Sequence, residues 1–106
     1  MEVEHQNLYG GSGIVKIAVV DLDLVPPFQS VLQYKLAPTA SIGLHQHQVD
    51  SALLICTSGQ GTVVMNKAPS TLTENDTVMI PCRAQISIHN TSDGENFEFW
   101  MIRVRS

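Results

Sequence analysis

Apolar and polar positions alternate in short runs along most of this chain. In residues 14–20, Val15, Ile17 and Val19 stand against Lys16, and in residues 30–37, Val31, Gln33 and Lys35 alternate with Leu32, Tyr34 and Leu36. A period of two is the mark of a half-buried strand. Residues 40–47, 62–65, 70–73, 77–80 and 97–104 read as further strands, and the run Ala52-Leu53-Leu54-Ile55-Cys56, apolar throughout, reads as a strand buried on both faces. Breakers separate these runs: Pro26-Pro27, Pro38, Gly59-Gln60-Gly61, Asn66-Lys67, Glu74-Asn75-Asp76 and Pro81. No stretch carries a convincing 3.6-residue apolar period. The pattern predicts an all-β fold, an antiparallel double-sheet jelly-roll barrel, preceded by a polar, glycine-rich arm or loop at residues 1–12.

The candidate chemistry lies between Gly43 and Gly61. His45 and His47 stand two apart, and alternate side chains of a strand share a face, so both imidazoles are expected to point into the same interior. Two histidines on one inner face make half of a metal site. By the same parity Ile86 and Ile88 face one way and His89 the other, which turns His89 outward. Cys56 shares the parity of Ala52 and Leu54 and is expected to face the cavity, as a small hydrophobe or as a thiolate.

A His-x-His pair, an apolar strand and a Gly-x-Gly turn resemble the first motif of the cupin superfamily. Asn75-Asp76, the strand 77–80, Pro81 and Asn90 resemble the second motif. The resemblance covers residues 9–104 and implies one cupin domain over residues 13–106. It also implies a centre of three histidines and one glutamate holding iron, manganese, zinc, nickel or another divalent metal. This chain departs from that set. Ala52 stands where the glutamate is expected and Ile86 where the third histidine is expected, leaving His45 and His47 as metal ligands. The pair therefore has two readings, a reduced centre holding a divalent metal, or inherited histidines that line a pocket without one. Losing a carboxylate and an imidazole also makes the cavity less polar. A small, largely apolar ligand is then expected among Ala52, Leu54, Cys56, Met79, Ile86 and Ile88, oriented by His45, His47, Tyr34 and Gln85.

Three functions follow: a barrel that binds a small molecule, a metal-dependent enzyme of the oxygenase, isomerase or lyase kind, and a non-catalytic regulatory or interaction module. Composition narrows the partners. Six Lys and Arg against ten Asp and Glu give a net charge of −4 in 106 residues, and the basic residues are scattered, so no footprint for nucleic acid is visible. The apolar runs are strand-sized, too short to span a membrane as helices. With 43% apolar and 15% charged residues, the surface is lightly charged and leaves room for a homodimer, with Phe97, Phe99 and Trp100 serving core or interface and Arg103 and Arg105 at its rim. Asp50 and the other acidic residues mostly fall at predicted turns and are expected to be solvated. Two cysteines without a secretory signal are expected to be free thiols in the cytoplasm, where the sequons at Asn75 and Asn90 go unused.

Overall fold

A computed structural model describes residues 1–105. The strands are β1 (Glu2–Gln6), β2 (Ile14–Val19), β3 (Phe28–Leu36), β4 (Ser41–Gln46), β5 (Asp50–Ser58), β6 (Gly61–Met65), β7 (Ala68–Leu72), β8 (Thr77–Ile80), β9 (Gln85–Asn90) and β10 (Phe97–Arg105), with a 3-10 turn at Leu8–Gly10. They form two antiparallel sheets, a six-stranded one in the order β1-β2-β3-β10-β5-β8 and a four-stranded one in the order β4-β9-β6-β7. This is the jelly-roll barrel that the alternation predicts. Among the described residues no helix is long and apolar enough to cross a membrane.

Strand parity builds the interior. Along β10 the residues Phe97, Phe99 and Met101 are buried, and they pair in register with Leu36, Tyr34 and Leu32 of β3 on one side. On the other side Phe99 and Met101 face Cys56 and Leu54 of β5. The smaller sheet contributes Ile42, Val63, Leu72, Ile86 and Ile88 to the same cluster. A side chain at Gly61 would run into the Phe97 ring, so the second glycine of Gly59-Gln60-Gly61 is what lets this aromatic plug one end of the barrel. The same end is tied by Asn90, 5% exposed, whose amide donates to the carbonyls of Leu36, Ala37 and Glu95 while its oxygen accepts from Ser92 N–H.

Several elements differ from the sequence reading. Residues 2–6 are not a loop but the edge strand β1, paired from Glu2↔Ala18 to Gln6↔Ile14. Its side chains are almost all exposed, so no apolar alternation announces it. Strand β7 starts at Ala68 and includes Pro69, tolerated because β7 is the outer strand of its sheet. The tip before it, Asn66-Lys67, has both residues in the left-handed region (φ 49° and 71°), the geometry of a tight mirror-image hairpin turn. Strand β4 carries a bulge. Ile42 opposes Ile88 and His45 opposes Ile86, three steps along β4 against two along β9, with the extra residue at Gly43-Leu44.

Candidate functional site

That bulge decides where the histidines go. It lets Ile42 and His45 both face inward despite their odd separation, and His47 follows just past the end of β4. The two rings lie 5.4 Å apart between centroids, with planes inclined by 46°. His45 Nδ1 lies 2.9 Å from the Gly43 carbonyl, which can only accept, so Nδ1 carries a proton and donates it. Its ring stacks on Tyr9 at 4.3 Å and 12°. Tyr9 is held in the left-handed region (φ 53°, ψ 34°), a conformation that costs about 1–3 kcal/mol in a non-glycine residue and concentrates at functional sites. Gly43 makes the contact feasible, since a side chain there would collide with the Tyr9 carbonyl.

The inward rows of β5 and β10 continue beyond the apolar core into charge. Asp50, Ala52, Leu54 and Cys56 alternate inward along β5, and Phe97, Phe99, Met101 and Arg103 along β10. Because Arg103 pairs in register with Ala52, its guanidinium reaches diagonally to Asp50, with Nη2 donating to Oδ2 at 3.1 Å. Tyr34 stacks on Phe99 at 4.9 Å, and burial, against a smaller opposing pull from Arg103, pushes its phenol up to about 12. The His47 imidazole is pushed below its ordinary value, first by burial, then by Arg103 and His45, with Asp50 opposing. Among the described residues two side-chain atoms here are buried without a hydrogen-bond partner: His47 Nδ1 and Arg103 Nε.

The residues singled out from sequence thus divide. Tyr34, His45 and His47 line one polar mouth. Below it Ala52, Leu54, Cys56, Ile86 and Ile88 each have 0% exposure, so no water-sized space adjoins them and they form a closed floor. The interior pocket expected there is corrected: neighbouring side chains fill the volume that the missing ligands leave. Met79 is 58% exposed and turned outward beside Leu53, so it does not belong to the pocket. Gln85 is also exposed on the outer parity of β9, with its backbone N–H bonded to Asn66 Oδ1. The Cys56 thiol points to the carbonyls of Ser58 and Gly59, and burial pushes its pKa up, so it stays a neutral thiol. His89 faces away from the core and meets Ser87 Oγ at 3.0 Å.

Sequence reasoning missed Tyr9, Asp50 and Arg103. The signal for the last two was present: extending the alternation two residues back from Ala52 and two forward from Met101 carries both inward. Among the described residues no group of three or more His, Cys, Asp or Glu side chains is placed to hold a metal ion. Two surface cavities are lined by other residues than those of the mouth. One of about 300 Å³ lies on the outer face of the larger sheet between Glu2, Glu4, Lys16, Lys35 and Glu98, and one of about 450 Å³ is lined by Gln48, Val49, Cys82 and Arg83.

Comparison with known proteins supports the architecture. The family model for the cupin domain matches residues 32–103. Among curated protein sequences none matches the chain. A Thermotoga maritima protein described as a predicted oxalate decarboxylase superimposes with a TM-score of 0.91 at 22% identity, over 100% of this chain and 93% of that one. A cupin domain from Schizosaccharomyces pombe gives 0.80 at 13% identity, over 98% and 69%. A cupin conserved barrel domain protein from Salinispora arenicola gives 0.74 at 21% identity, over 87% and 76%. At these identities the likeness is one of fold.

Proposed function

This chain belongs to the cupin domain family, and we propose that it binds a small molecule at the polar mouth of its barrel, over the closed apolar floor. The observation that supports this reading is the pair of orphaned atoms, His47 Nδ1 and Arg103 Nε, buried at one mouth. Buried polar groups are nearly always hydrogen-bonded, and leaving one unsatisfied costs about 1–3 kcal/mol. Both atoms are covered in this state, so a ligand that removes that cost does so by displacing the side chains over them. Tyr9, Tyr34, His45 and His47 supply the ring surfaces against which its body lies.

Cupins commonly hold a divalent metal, but the donor set here does not fit one. Among the described residues only His45 and His47 remain, the Asp50 carboxylate is engaged by Arg103, and the guanidinium that disfavours a proton on His47 equally disfavours a divalent cation beside it. The rival reading, a metal-dependent oxygenase, isomerase or lyase, needs further donors. Cys56 and Gln85, the two protein groups the sequence offers, are turned elsewhere. An interaction role draws support from the outer face of the larger sheet, where Ile102, Leu53 and Met79 stand in one row across three strands beside Trp100 and Ile55. We assign that face to a homodimer. The free thiols Cys56 and Cys82 support a reducing compartment, the cytoplasm.

The test is a fragment screen read by the ring resonances of the four histidines and two tyrosines. Shifts centred on His45, His47, Tyr9 and Tyr34 support the mouth. Shifts confined to the backbone around Lys16 and Lys35 would place the ligand in the outer-sheet cavity and overturn this reading.

A further inference from the structure

Resting on the mouth as the ligand site, we propose that Arg103 replaces a metal ion as the fixed cation of this barrel, and that the ligand it takes is a small organic carboxylate. Three observations carry the inference. First, the guanidinium is positioned rather than free: Asp50 holds Nη2 at 3.1 Å, while Nε–H is left buried with no acceptor. A planar guanidinium gripped at one end presents its remaining donors in a rigid fork, the geometry that a carboxylate accepts.

Second, the ion pair is lopsided. The Asp50 side chain is 11% exposed and that of Arg103 is 33%, so the acid is the covered partner and the cation is the one that meets the opening. Third, a second unsatisfied atom, His47 Nδ1, is buried at the same mouth. Once uncovered, it can bond a further oxygen of the same ligand.

The closed floor limits size. With Ala52, Leu54, Ile86 and Ile88 all at 0% exposure, the ligand cannot descend into the barrel. Its body must rest on the stacked Tyr9 and His45 rings. A single carboxylate on a small planar body satisfies these constraints together.

Titration calorimetry on tag-free, EDTA-treated protein tests this with benzoate, with benzamide as its uncharged counterpart, and with inorganic phosphate. Benzoate is expected to bind without metal, with benzamide and phosphate weaker. Arg103→Gln is expected to weaken benzoate by about tenfold or more and leave benzamide unchanged. Arg103→Lys keeps Asp50 paired and restores part of the loss. Its charge without the fork separates direct recognition from a folding defect in Arg103→Gln. Equal binding of benzoate and benzamide, or of phosphate and benzoate, would retain the mouth as a ligand site but overturn the carboxylate. Benzoate binding that appears only after manganese or zinc is added would overturn the role of Arg103 as the cation. Silence toward all three probes, together with no mouth shifts in the fragment screen, would remove the ligand site itself and this inference with it.

Discussion

Replacing Arg103 by methionine deletes the guanidinium and leaves the Asp50 carboxylate, on a side chain 11% exposed, without its cation. Removing one partner of a fully buried ion pair costs about 3–5 kcal/mol, because the survivor is an uncompensated charge. Arg103 is one-third exposed, so water screens the pair and the lower figure must be reduced, to about 2 kcal/mol. Asp50→Asn should cost less, about 1 kcal/mol, since the surviving cation can turn toward solvent. The double variant Asp50→Asn/Arg103→Met buries no charge and should cost about 1 kcal/mol, well under the sum of the singles, which is a coupling of about 2 kcal/mol. Urea unfolding followed by Trp100, the only tryptophan, measures all four proteins. The thermal midpoint of Arg103→Met should fall by about 10 °C, at about 4–8 °C per kcal/mol for a domain of this size. Additivity of the single variants within about 0.5 kcal/mol would refute the reasoning, because independent sites add to that precision.

Gly43→Ala drives a methyl into the Tyr9 carbonyl, so the turn at Leu8–Gly10 must move; the expected loss is about 1–3 kcal/mol, together with loss of the Tyr9–His45 ring stacking, read as a change in the His45 ring shifts. The His47 imidazole is held below its usual 6.5, so below that pH the unfolded chain binds more protons and stability falls with acidification until the folded ring itself titrates. His47→Gln should flatten the stability profile between the usual value and that lowered one, and identical slopes in both proteins would contradict the shift. Trp100→Glu with Met79→Glu puts charge on the apolar outer face and should convert a dimer to a monomer by light scattering, with the mouth unchanged; no change in mass would remove that face as the interface.

Much of the barrel was legible because its strands bury one face, and burial writes a period of two into the sequence. Phe97, Phe99 and Met101, or Leu54 and Cys56, fall inward by counting alone. Asn90 fits the asparagine position of the second motif, and the structure supplies its physical reason, four hydrogen bonds that close one end of the barrel. Counting failed where the backbone or the environment breaks the period. The extra residue at Gly43-Leu44 leaves no trace in hydrophobicity, and β1 buries too little to be patterned. Met79 is apolar yet outward, because the outer face of β5 and β8 is itself apolar. Asp50 was read as solvated and Arg103 as the rim of an interface, although their parity places them in the barrel, where their pairing across β5 and β10 makes burial tolerable. Tyr9 reaches His45 through a turn in the left-handed region that sequence alone does not reveal.

The most direct measurement is a crystal structure of protein purified without chelator, at a resolution that shows ordered water, with anomalous data collected for transition metals. The prediction is one ligand or ordered oxygen within hydrogen-bond reach of both His47 Nδ1 and Arg103 Nε, with the Arg103–Asp50 pair intact and no anomalous peak between His45 and His47. A fully occupied metal on the two histidines, or an Arg103 swung into solvent with His47 bonded to a protein group, would contradict it.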